Sequence, residues 1–242
     1  MKNFKNYILQ ILIITTILSC NESDLSVSEN PLSDQLYKST IQANNYIVVQ
    51  TNGSHNQFEP KTGSVQFDFK NSFKQFSIEE KSFESNQFTG NIFDVSPNLN
   101  ESYQPIFDLG RTKSISINNQ TKDIYYPKSV KLNESLISNT GYVEISKSNG
   151  INLSWQPDQN NPDNKVYLVI VQTSGNSEDL QSTDISQVIS NDNSYRVTPD
   201  ELSSFNLNDD IDIFLARGNE TKISKTAFTF FNVNVVSGKI IE

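Results

Sequence analysis

Val65, Phe67 and Phe69 alternate with Gln66 and Asp68, and this period-two rhythm, repeated in short runs, is what most restricts the fold. A strand sends successive side chains to opposite faces, so such a run makes one buried and one wet face. Apolar or alternating runs occupy residues 45–51, 64–69, 73–78, 91–95, 114–117, 129–132, 142–146, 151–155, 166–172, 194–197, 211–216 and 222–235. Polar clusters separate them, and Gly63, Gly90, Gly110, Gly141, Gly150, Gly175 and Gly218 are expected to mark the turns. Helical spacing is scarce. The prediction is an all-β chain.

Strands this short and this regularly spaced favour two β-sandwiches of roughly 100 residues each over one large domain. The expected boundary lies near residue 139. Residues 45–138 form a Phe-rich domain, with Phe67, Phe69, Phe73, Phe76, Phe83, Phe88 and Phe93 crowded together. Residues 139–242 form the second sandwich. No internal repeat links the halves. One helical turn is expected at Thr198-Pro199-Asp200-Glu201, where a Thr hydroxyl and a Glu carboxylate can satisfy free backbone donors and Pro stands at the first helical position.

The second half carries the sharper pattern. Gly150 to Asp158 reads GINLSWQPD and Lys165 to Gln172 reads KVYLVIVQ. A strand ending in Trp and then Pro, followed by an alternating strand, resembles the B and C strands of fibronectin type III and related immunoglobulin-like sandwiches. Asp210 to Arg217 (DIDIFLAR) is similar to the F strand, and residues 222–235 supply a G strand. The resemblance implies an immunoglobulin-like sandwich with Trp155 in its core. The chain departs from the family at the F strand, where Ile211 or Ile213 replaces the usual tyrosine.

The first twenty residues, MKNFKNYILQILIITTILSC, place Lys2 and Lys5 before an apolar run over residues 7–18. A helix crossing a bilayer needs about 20 apolar residues, so this shorter run reads as a secretory signal over residues 1–19. Its end, Ile17-Leu18-Ser19-Cys20, resembles the bacterial lipobox, and Cys20 is the chain's one cysteine. The resemblance implies a diacylglycerol thioether on Cys20 and an acylated N-terminus, which together hold a protein to a membrane where one chain would not. Residues 20–44 follow as a polar tether. Its opening Asn21-Glu22-Ser23-Asp24 looks like the export tract of Bacteroidetes surface lipoproteins. The expectation is an outer-membrane protein, lipid-anchored through Cys20 at the cell surface or facing the periplasm.

Composition narrows the chemistry. A net charge of −9, from 28 acidic and 19 basic residues, repels a phosphate backbone and excludes nucleic acid as partner. One cysteine leaves no disulfide framework or zinc ribbon, and one histidine leaves no His-rich metal site. His55 sits in a turn-like Thr51-Asn-Gly-Ser-His-Asn stretch, and no Gly-x-Ser-x-Gly elbow occurs.

Carboxylates are the abundant catalytic material: Glu79-Glu80, Asp184 and Asp209-Asp210-Asp212. Adjacent Glu79 and Glu80 on a strand would face opposite ways, while Asp210 and Asp212 would share a face. A surface polysaccharide hydrolase would need two such groups about 5–10 Å apart across a cleft. No cofactor is expected beyond calcium, for which Asp158, Asp163, Asp209 and Asp210 lie in Asx-rich loops that supply oxygen ligands. Neither loop has the EF-hand spacing. Tyr125 and Tyr126 are candidates for a sugar-stacking platform, because neighbours on a strand face opposite sides and one of them should point outward. The leading expectation is a non-enzymatic binding or assembly module for a glycan or an envelope protein, with the hydrolase as the alternative.

Overall fold

The computed structural model describes residues 45–54, 62–69, 75–84, 92–95, 103–139, 141–161, 165–173, 184–190 and 192–242. The signal, Cys20 and the tether lie outside these residues, as do His55 and Asp163.

β1 (Asn45–Ser54) and β2 (Thr62–Phe69) run antiparallel, with Val49 opposite Val65. β3 (Gln75–Ile78) and β4 (Lys81–Glu84) form a hairpin around Glu79-Glu80, and β5 (Ile92–Val95) pairs with β2. A one-turn helix, α1 (Gln104–Phe107), leads into the hairpin of β6 (Arg111–Ile117) and β7 (Gln120–Tyr126). There follow β8 (Val143–Ser146), β9 (Ile151–Ser154), β10 (Lys165–Gln172), β11 (Asp184–Ser190) and β12 (Ser194–Val197). A long hairpin of β13 (Asp210–Ile223) and β14 (Thr226–Ile241) closes the described chain. The chain is all-β, as its alternation predicts.

The strands form a large sheet in the order β11-β10-β13-β14-β1-β2-β5, a four-stranded sheet β4-β3-β6-β7, and the pair β12-β9. β14 is the pivot. Along one edge it pairs with β13 throughout; along the other it pairs in parallel first with β1, over Ala227–Val235, and then with β8, over Gly238–Ile241. β9 pairs with β12 in the small sheet, while β10 joins β13 and β14 in the large one.

One face of the large sheet packs against both smaller sheets and so bears two cores. In the first, Ile47, Val49, Val65 and Phe67 meet Phe76, Ile78, Ile115 and Ile117. Phe76 stacks on Phe83 at 4.8 Å between centroids. In the second, Leu168, Ile170, Ile211, Ile213 and Leu215 meet Leu153, Trp155 and Val197. Trp155 is buried, as expected of a residue on the inner face. Each such side chain stabilises the fold by about 1.5–3 kcal/mol when fully withdrawn from water. The reverse face carries a third apolar cluster that includes Tyr46, Val48, Val169, Val171 and Phe231. This explains why β1 and β10 read as near-continuous apolar runs: both of their faces are buried.

The halves anticipated on either side of residue 139 are not separate pieces of sheet. Ile223, Phe228 and Phe230, at the tip of the long hairpin, belong to the first core, and β1 pairs with β14.

Several local expectations differ from the structure. Residues 222–235 are not one strand, because the chain reverses at Ser224, whose φ is +56°. Residues 129–132 contribute only an isolated bridge, Leu132 to Trp155. β4, β7 and β11 went unmarked by the runs. Gly218 lies inside β13 rather than in a turn, and a Cβ there would come within 2.9 Å of Phe231 Cβ and 3.0 Å of the Phe230 carbonyl. Close approach, not turning, requires that glycine. The Thr198–Glu201 box forms as drawn, with Thr198 N donating to Glu201 Oε2 at 2.9 Å and Glu201 N donating back to Thr198 Oγ1 at 3.4 Å. It opens a run of turns over residues 199–204, and no helix follows.

Candidate functional site

Between the two cores the same face of the large sheet turns polar. Along β13 the inward phase runs Ile211, Ile213, Leu215, then Arg217 and Asn219, then Ile223; along β14 it runs Phe228, Phe230, then Asn232 and Asn234, then Val236. All four polar residues are buried, and Arg217 and Asn232 are each only 1% exposed. Thr51 of β1 lies opposite Asn232 and extends the row.

This seam grips the connection that leaves β7 for the second lobe. Asn219 Nδ2 donates to the Tyr125 carbonyl (2.7 Å), Asn232 Nδ2 to those of Pro127 (2.8 Å) and Lys128 (3.2 Å), and Asn234 Nδ2 to that of Val130 (3.1 Å). The end of β7 and the partly buried connection after it carry carbonyls that need donors, and the three amides supply them.

Over one end of the seam sits the loop after Trp155. Asp158 is buried, and its carboxylate accepts from the Tyr125 hydroxyl (2.8 Å), the Lys128 amide (2.7 Å) and the Asn160 amide (3.3 Å). Arg217 reaches the loop from below, with Nη2 donating to the Gln156 carbonyl at 2.7 Å. Burial pulls the guanidinium below its ordinary pKa, and the charge of Asp158 opposes that pull. Burial, together with the hydrogen bond to Asp158 and its charge, pushes the Tyr125 phenol up to about 12.

Tyr126 is fully buried, its ring stacked on Phe230 at 4.4 Å and its hydroxyl bonded to the Phe231 carbonyl. It offers no face to a sugar. Tyr125 is half-buried with its hydroxyl committed to Asp158, so the expected platform does not assemble from the pair.

The Asp158 carboxylate is taken up by N–H and O–H donors, Asp209 accepts from the Asn206 amide at 2.7 Å, Asp210 is exposed, and Asp163 lies outside the described residues. Among the described residues no three His, Cys, Asp or Glu side chains stand together to hold a metal. Glu79 and Glu80 occupy the β3–β4 turn rather than a strand, and Glu79 spends an oxygen on the Ser114 amide. Asp212 accepts from the Ser237 hydroxyl, and Asp184 opens β11.

Reading from sequence marked Asp158 and Tyr125 but missed Arg217, Asn219, Asn232 and Asn234. Their signal was phase: each continues the inward period of the apolar residues on either side.

Among the described residues no helix is long and apolar enough to cross a membrane. No protein-family model matches the chain, and no curated protein or solved structure matches it.

Proposed function

We propose that this protein is a lipid-anchored, non-enzymatic binding or assembly module of the outer membrane, whose partner is another envelope protein. The observation that carries the reading is Cys20, the one cysteine in the chain, placed directly after a lysine-led apolar run with a lipobox-like end. The body supports it. Two lobes that share β13 and β14 and are stitched by a buried polar seam present their surfaces in a fixed relation, which suits a scaffold. β11 and β5 end the large sheet at opposite sides, and Val188 in β11 is 50% exposed. Sheet edges are where an extended segment of a partner adds its own strand. With Tyr126 buried and the Tyr125 hydroxyl engaged, a protein partner fits better than stacking on a glycan.

The test is metabolic labelling with a fatty acid in a bacterial host, followed by membrane fractionation and crosslinking. The full chain is expected to take up label and sediment with outer membranes, and Cys20→Ala to lose both. Membrane retention by an unlabelled Cys20→Ala variant would end the anchoring proposal. A crosslinked partner that disappears with Val188→Lys would support the assembly role, and specific glycan retention without any protein partner would overturn it.

A further inference from the structure

We infer that the polar seam is a binding site for one ordered water molecule, held by Arg217, Asn219 and Asn232 between the two lobes. Arg217 Nε, Asn219 Oδ1 and Asn232 Oδ1 are shut off from solvent, and among the described residues no protein group pairs with any of them. The residues themselves are 1%, 6% and 1% exposed. The orientation of both amides is fixed by chemistry. Each Nδ2 donates to a backbone carbonyl oxygen, which Oδ1 cannot do, so the oxygens are the ends left over.

Register sets these residues side by side on one face. Arg217 stands directly opposite Asn232 on the paired strands, and Asn219 follows two residues along β13 on the same face. Cross-strand neighbours on one face have Cβ atoms about 5 Å apart and diagonal neighbours about 7–8 Å. Arg and Asn side chains are long enough to reach one small molecule shared across such gaps.

The set is one donor and two acceptors. Water matches it: the oxygen accepts from Nε–H, and its two protons go to the two carboxamide oxygens, giving the three bonds usual for a buried water. A metal cation would face the guanidinium, and an anion would face two carbonyl-type oxygens. Because the same amides hold Tyr125, Pro127 and Lys128, the water would complete the joint that ties the connection to the long hairpin.

The decisive experiment is an atomic-resolution crystal structure of the full chain, paired with oxygen-17 relaxation dispersion on the same protein in solution. Expected are a density peak about 2.7–3.2 Å from all three atoms and a long-lived hydration component. That component should fall by one molecule in Asn219→Leu and persist in Asn219→Asp, which keeps an acceptor oxygen. Direct contacts among the three groups, a peak with contacts near 2.4 Å marking a metal ion, or no long-lived component would each overturn the inference. If Asn219→Leu does not fold, the unaltered protein decides the question through the crystal and dispersion data alone.

Discussion

The Tyr126 hydroxyl donates to the Phe231 carbonyl across 3.0 Å, so the last residue of β7 is fastened to a strand formed about a hundred positions later. A second bond at 3.2 Å links it to the Thr51 hydroxyl, and burial holds the phenol protonated well above its ordinary pKa. Tyr126→Phe keeps the ring against Phe230 but removes both hydrogen bonds. The expected loss is about 1–3 kcal/mol, read as a lowered urea midpoint at unchanged slope. An unchanged midpoint would show that these bonds contribute nothing net.

Tyr125 and Tyr195 make the protein sensitive to alkali. Both phenols are pushed up to about 12 from an ordinary value of 10.0, in each case by burial first and then by donation to a carboxylate, Asp158 or Glu201. A pKa raised on folding means stability that is whole below the unfolded value and drains away as pH climbs from there through the folded value. Stability is therefore expected to decline between about pH 10 and pH 12. In ultraviolet titration, Tyr125→Phe and Tyr195→Phe should each remove one late-ionising phenol.

Glu201 acts at the other end of the scale. Burial would raise its pKa, but hydrogen bonds from Tyr195 and from the Thr198 amide and hydroxyl outweigh it, and the carboxyl sits below its usual 4.5. Its contribution is present above that ordinary value and is lost as pH falls through the depressed one. Glu201→Gln should flatten the acid limb of the stability profile below about pH 4.5. A limb of unaltered slope would place acid sensitivity elsewhere.

Gly150 and Gly141 form a matched pair. Both have left-handed backbone, with φ of +66° and +84°, but a Cβ on Gly150 would lie 2.1 Å from the Val197 carbonyl oxygen while one on Gly141 meets nothing within 4 Å. Gly141→Ala should cost only the left-handed penalty, about 1–2 kcal/mol. Gly150→Ala must also push β12 aside and should lose clearly more, measured by the shift in thermal midpoint.

Alternation located β1, β2, β10 and the Trp155 core because those strands bury whole apolar faces. It failed wherever the chain broke its own code. The β13–β14 turn, Ile223-Ser224-Lys225-Thr226, has none of the Gly, Asn or Pro that signal reversal, so two strands read as one. β7 opens with Gln120-Thr121-Lys122-Asp123, exposed residues with no apolar phase, and only Ile124 and Tyr126 point inward. The seam was hardest to see. An asparagine in a β chain ordinarily belongs to a turn or a wet face, and only the unbroken phase from Phe228 and Phe230 through Asn232 and Asn234 to Val236 says otherwise. Tyr125 and Tyr126 were rightly split between opposite faces, but which face was outside depended on a hairpin tip far away in the chain.

The parallel pairing of β1 with β14 also dictates an order of events when the polypeptide is made. The ribosome delivers β1 to β7 long before Ile223, Phe228 and Phe230 exist, and until those three arrive the first core lacks one wall. The early half must therefore wait as an open, Phe-rich sheet, vulnerable to sticking to its neighbours, and then close late around a hairpin threaded between partners already in place. Folding dominated by such distant contacts is slow. A chain carried across a membrane while unfolded would fold only on the far side, after all of it had emerged.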